Sequence, residues 1–67
     1  MELSARNQLK GKVKGVKLGA IMAEVVVDVS GQEVVSAITR SSVERSKLQV
    51  GDSVTVIVKS TEVMLGK

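Results

Sequence analysis

The chain has 67 residues, a formal net charge of +3, and no Cys, His, Phe, Tyr or Trp. These absences exclude disulfides, the usual zinc ligands, and catalysis that relies on a histidine base or a cysteine nucleophile. Residues 1–67 allow one domain, and a chain this short buries only about 60% of the surface it exposes when unfolded. Its hydrophobic 43% is Val, Leu, Ile, Met and Ala, so with no staple it is expected to gain burial from other subunits as an obligate oligomer. No secretory or transit pattern opens the sequence and no apolar run reaches bilayer length, so Met1-Glu2-Leu3 reads as the start of a mature cytoplasmic protein with no membrane partner.

The first stretch with chemical content is Ser4-Ala5-Arg6-Asn7-Gln8, which groups a hydroxyl, a guanidinium and two amides. Such donors are costly to bury unless something satisfies them. Two readings stand at this point: a solvated N-terminal tail, or one wall of a pocket for a small anion. From about Gln8 the period is two, with Leu9, Gly11 and Val13 facing one way and Lys10, Lys12 and Lys14 the other, which predicts a strand. The apolar parity switches at Gly15-Val16, as at a β-bulge or barrel corner, and Gly19 permits a tight connection.

Ile21, Ala23, Val25, Val27 and Val29 then form an unbroken apolar row, the clearest strand of the chain. Its other face carries Met22 and Val26 beside Glu24 and Asp28, consistent with a subunit contact. Ser30-Gly31-Gln32 supplies hairpin-turn chemistry. Glu33–Thr39 returns as a β-branched strand whose weak alternation suits cover on both faces. Ser41 and Glu44 stand at capping-box spacing and predict a short helix. A turn at Leu48–Asp52 leads into an alternating strand over Ser53–Lys59, and Val63-Met64-Leu65 is expected to close the chain as a short fifth strand. The fold expected is all-β: a small five-stranded OB-like Greek-key barrel with one short helix between strands 3 and 4.

Catalysis is excluded further by the absence of paired carboxylates, of a serine beside a base, and of any phosphate-binding glycine loop. The spread of carboxylates also provides no hard-metal cage. Basic residues cluster early, at Arg6, Lys10, Lys12, Lys14 and Lys17, which raises nucleic acid as a partner. Sheet-based single-strand binders stack bases on aromatic rings, and this chain has none; alternating lysines are the ordinary mark of a solvated strand face. Three donor-rich knots remain: Ser4–Gln8, Thr39–Val43 and Lys59–Thr61. Helix capping would account for Thr39, Ser41 and Ser42 alone, and a solvated strand end for Lys59. Taken together, they offer hydroxyls, backbone N–H groups at a helix start and two cations, Arg6 and Lys59, a set suited to a doubly charged tetrahedral oxyanion.

The segments Ser4-Ala5-Arg6-Asn7-Gln8-Leu9-Lys10-Gly11, Ala37-Ile38-Thr39, Ser42-Val43 and Val58-Lys59-Ser60-Thr61-Glu62-Val63-Met64 closely resemble the molbindins, small Mop/TOBE-type molybdate-binding proteins. The resemblance runs along essentially the whole chain and is that of a free-standing molbindin domain. It implies an OB-like barrel assembled as a homohexamer, a trimer of dimers, with molybdate or tungstate at the subunit interfaces and no covalent cofactor. By position it assigns Ser4, Arg6 and Lys59 to gripping the oxyanion. Thr39 and Ser42 complete the site from a neighbouring subunit, and backbone amides around Ala5 and Ser60 help. Arg40 lies outside the motif and adds a cation beside it; Asn7 and Gln8 stand open between ligand contact and subunit bonding. The implied role is cytoplasmic storage or buffering of molybdate. The competing functions are an OB-type nucleic-acid module using the basic face and an oligomerisation module that binds a partner protein.

Overall fold

A computed structural model describes residues 5–67. Its elements run β1 (Asn7–Leu18), β2 (Met22–Val29), β3 (Gln32–Thr39), α1 (Arg40–Ser46) and β4 (Ser53–Val58), followed by a single 3-10 turn at Ser60–Glu62. The four strands form one antiparallel sheet in the order β3-β2-β1-β4. The long first strand organises it. Asn7 to Lys12 pair with β4 and Lys12 to Leu18 pair with β2, so Lys12 alone has a partner on each side.

The expected bulge is present, one residue earlier than the parity switch indicates. Val13 pairs with Val27 and Gly15 with Val26, leaving Lys14 as the extra residue. One added residue rotates everything after it to the opposite face, which is why Val13 is buried before the bulge and Val16 turns inward after it. Lys14 is not simply solvated. Its ammonium bonds the Glu33 carboxylate two strands away, and that hydrogen bond, followed by Glu33's charge, raises its pKa above the ordinary lysine range. The stabilisation is present at neutral pH and lost as pH rises through that raised value. Both groups are more than half exposed, so the contribution is small.

The core is aliphatic and thin. Val13, Ala23, Val25, Val27 and Val43 are buried, with Val16, Val29, Ile38, Leu48, Val54 and Val56 packed around them. The odd-numbered row of β2 thus faces inward as its pattern predicts, except Ile21, which lies before the strand and is 77% exposed. Val43 is the buried residue of α1, which lies against β2 and β3. Between the edge strands β3 and β4 an apolar cleft of about 260 Å³ remains, walled by Val13, Val27, Ile38, Leu48 and Val54.

The β2–β3 connection is a two-residue turn, since Val29 pairs with Gln32. Ser30 (φ 50) and Gly31 (φ 87) are both left-handed, the conformation of a type I′ turn, and Asp28 Oδ1 accepts from the Gly31 N–H at 3.1 Å. A serine bears the left-handed strain that asparagine tolerates better. Ser30→Asn is therefore expected to stabilise the protein by a few tenths to about 1 kcal/mol, seen as a rise of a few degrees in a circular-dichroism melt.

Three expectations need correction. The fifth strand is absent: after the 3-10 turn the residues from Val63 onward pair with nothing described, and Met64 and Leu65 are each 94% exposed. An apolar run becomes a strand only where a ladder partner is offered, and among the described residues this segment meets none. The described residues therefore form four strands and no closed five-stranded Greek-key barrel, although the all-β class and the helix between the third and fourth strands hold. Next, β3 is an edge strand covered on one face only; Val34, Ser36 and Ile38 turn inward while Val35 is 60% exposed. Finally, the helix cap is Thr39 and not Ser41. Thr39 ends β3 with extended backbone (φ −71, ψ 146), the geometry an N-cap requires, and its Oγ1 accepts from the Ser42 N–H. Ser41 lies inside the helix, and Glu44 faces Arg40 at 3.5 Å instead of reaching back to a cap.

Candidate functional site

The candidate residues fall into two groups. The first lies where β1 and β4 begin and end. Asn7 and Val58 are the last pair of that ladder, so Arg6 and Lys59 are the residues immediately beyond it on adjacent strands. Both side chains are exposed. Ala5 is buried and anchors the backbone ahead of Arg6, while Gln8 Nε2 donates to the Ala5 carbonyl at 3.5 Å. Gln8 thus has a local role in shaping this corner. Lys59 takes an extended conformation before the 3-10 turn, which its carbonyl closes by accepting from the Glu62 N–H at 2.9 Å; Ser60 is the first residue of that turn. Among the described residues neither Arg6 nor Lys59 has a carboxylate partner, whereas Lys14 and Arg40 do. Ser4 lies outside the described residues.

The second group is Thr39 and Ser42 at the start of α1. Thr39 Oγ1 accepts from the Ser42 N–H at 3.1 Å and donates its own proton to Ser42 Oγ at 2.8 Å. Each of those atoms is then satisfied except the Ser42 hydroxyl proton, which is left for an outside acceptor. A shallow hollow of about 510 Å³ beside it is lined by Ala20, Ile21, Thr39, Arg40, Ser41 and Glu44. Because Thr39 caps the helix, Thr39→Ala is expected to cost about 1 kcal/mol of stability, measurable as a lowered midpoint in urea unfolding with an unchanged m-value.

One chain does not bring these groups together. The first sits at the Asn7 end of β1; the second lies beside Met22, whose neighbour Ala23 pairs with Leu18 at the other end. Over the 12 residues of β1 the two ends are separated by on the order of 30 Å at a strand rise of about 3.3 Å per residue. The cleft between β3 and β4 is no substitute, because its walls are mostly apolar and an anion there would lose its hydration without replacement.

Arg40 shows what the residue pattern alone does not reveal. Its N–H donates to the Ile21 carbonyl at 2.8 Å, its guanidinium to the Gly19 carbonyl at 3.3 Å, and its Nε lies 3.5 Å from Glu44. The one signal in the sequence was the i, i+4 spacing of Arg40 and Glu44 on a helix. Among the described residues, no group of three His, Cys, Asp or Glu side chains gathers to hold a metal ion, and no helix is long and apolar enough to cross a membrane.

The TOBE domain family matches residues 3–65 of the chain. Molybdenum-pterin-binding protein 1 of Clostridium pasteurianum is 48% identical over 97% of both proteins. Among solved structures, a molybdate-binding protein from Sporomusa ovata superposes with a TM-score of 0.96 at 45% identity, covering 100% of each chain. The cytoplasmic molybdate-binding protein ModG, solved with molybdate bound, gives a TM-score of 0.84 at 38% identity over 90% of this chain and 43% of its own. The chain therefore belongs to the TOBE-domain family, among the small Mop-type molybdenum-pterin-binding proteins.

Proposed function

We propose that this protein binds molybdate, and tungstate as its isostere, at the interfaces of a homo-oligomer, and that it stores or buffers the oxyanion in the cytoplasm without chemistry and without a covalent cofactor. The observation that carries the reading is the placement of Arg6 and Lys59 just past the Asn7–Val58 pair at one end of β1, while the Thr39–Ser42 hydroxyls lie at the other. Two cations match the charge of a tetrahedral dianion, and hydroxyls and the amides around Ala5 and Ser60 supply its remaining hydrogen bonds. Ser4, two residues before Arg6 in sequence, is the further hydroxyl we assign to the oxyanion. A second copy delivers Thr39 and Ser42 to the Arg6–Lys59 corner of the first, so the complete donor set exists only in the assembly.

The thin core, the open β3–β4 cleft and the exposed Val63–Leu65 segment support an oligomer in which neighbouring subunits complete the single 1–67 domain as a closed five-stranded OB-like barrel. A homohexamer built as a trimer of dimers is the assembly we favour. The inorganic oxyanion is preferred over a pterin because the chain contains no aromatic ring on which a pterin could stack. Nucleic acid is disfavoured for the same reason, and because Lys14 is engaged with Glu33.

Isothermal titration with molybdate, tungstate, sulfate and phosphate tests the proposal. Molybdate and tungstate are expected to bind; silence with every oxyanion, together with salt-sensitive binding of oligonucleotides, would move the function to the nucleic-acid module. Ligand that binds only the folded assembly must also stabilise it, by about 2.7 kcal/mol at one hundred times its Kd. For a domain of this size that corresponds to a rise in Tm of roughly 20 °C, and an unchanged melt at saturating molybdate would count against the site.

A further inference from the structure

We infer that Arg40 is a positioning residue for oxyanion binding: it fastens the start of α1 to the β1–β2 turn and so fixes the Thr39–Ser42 hydroxyl pair, without itself touching the ligand. This rests on the reading of Thr39 and Ser42 as ligand-binding groups given above. The residue stands between them in sequence, and its side-chain bonds go to neither hydroxyl. Its guanidinium is committed to the Gly19 carbonyl and to Glu44, and its backbone N–H to the Ile21 carbonyl. Arg40 therefore holds the turn at two points, one through the main chain and one through the side chain.

The turn it holds is closed by a hydrogen bond of its own. Gly19 N–H donates to the Met22 carbonyl at 2.8 Å, and a Cβ at Gly19 would stand 2.7 Å from that same oxygen. Met22 is in turn the β2 partner of Thr39. A closed loop of bonds thus runs from Gly19 through Met22 to Thr39 and back through Arg40. Without the guanidinium arm, the first turn of a seven-residue helix is held to the sheet only by its main chain and the buried Val43. A helix this short has little stability of its own. The hydroxyl pair is the part of it that moves first, because Thr39 and Ser42 bond across the junction between strand and helix.

A planar fork that reaches a carbonyl with one nitrogen and a carboxylate with another is a task lysine cannot copy, whereas lysine keeps the charge in full. This separates positioning from simple electrostatics. In the oligomeric protein, Arg40→Ala is expected to weaken molybdate binding by about 3- to 10-fold, the scale of one lost side-chain hydrogen bond. Arg40→Lys is expected to behave like the alanine variant. In a Ser42→Ala background the Arg40→Ala change should add less than about 2-fold, since the hydroxyl pair it positions is already broken. Amide exchange of Ser42 in the ligand-free protein should be faster in Arg40→Ala. Full affinity in Arg40→Lys, an additive loss in the Ser42→Ala background, or unaltered binding in Arg40→Ala would each overturn the inference while leaving molybdate binding standing. A wild-type protein that binds no oxyanion would instead overturn the functional reading, and this inference with it.

Discussion

Removing both cations at the β1–β4 corner, Arg6→Ala with Lys59→Ala, is expected to abolish measurable molybdate binding while leaving the far-ultraviolet circular dichroism spectrum intact. A hydrogen bond to a charged group contributes roughly 1.5–3 kcal/mol, so each single variant should lose about 10- to 150-fold in affinity. The two losses need not add, because both side chains would face one ligand and the loss of the first lets the anion shift toward the second. Folding should be spared. Both side chains are exposed, and the neighbouring backbone is held by buried Ala5 and by the Asn7–Val58 pair, neither of which needs a cation. Arg6→Lys is the sharper probe, since it keeps the charge but removes the planar fork that can meet two oxygens of a tetrahedral anion at once. Titration calorimetry on the four variants measures the effect, and wild-type affinity in both single variants would reject this corner as the site.

Gly11→Ala is expected to destabilise the protein by about 1–3 kcal/mol, a large part of what a small domain possesses. A Cβ at this position would lie 2.5 Å from the Asp28 carbonyl oxygen, 2.8 Å from Val27 Cγ1 and 3.0 Å from Val29 Cγ2. The first of these contacts decides the outcome. A valine methyl can rotate away, but the Asp28 carbonyl belongs to the strand that pairs with Lys12, the residue at which β1 changes partners. Moving that carbonyl disturbs the ladder at the point that joins the two halves of the sheet. Gly15→Ala is the matched control, because nothing lies within 4 Å of its Cβ position and its φ is not left-handed. It should change stability by no more than about 0.5 kcal/mol. Urea unfolding of the two variants compares them directly, and equal stability of both would refute the close-approach argument.

That pair of glycines illustrates what was legible in the residues and what was not. The parity switch correctly announced a bulge, and the nearby Gly15 looked like its cause; the bulged residue is Lys14, and Gly15 needs no glycine. Gly11 sat in phase with Leu9 and Val13 and gave no sign of its role, because the atom that crowds it comes from a strand some seventeen residues away. The helix cap follows the same rule. A capping box is a local spacing, and Ser41–Glu44 satisfied it; the cap went to Thr39 because β3 had to end there in extended conformation.

Composition and period alone determined the all-β class, three of the four strands nearly to their ends, the short helix before the last strand, the inward row of β2 and the exclusion of histidine- or cysteine-based chemistry. Those are properties of alternation and residue type, which each residue carries with it. The donor knots could likewise be recognised one by one. Their arrangement could not, because it depends on strand order. Only the β3-β2-β1-β4 topology puts Arg6 beside Lys59, sends Thr39 and Ser42 to the far end of β1, ties Arg40 to Gly19, and leaves Val63–Leu65 without a partner strand among the described residues. Hydrogen-bond pairing between distant segments made those decisions, and an isolated segment has no means of expressing a preference for a partner it has not yet met.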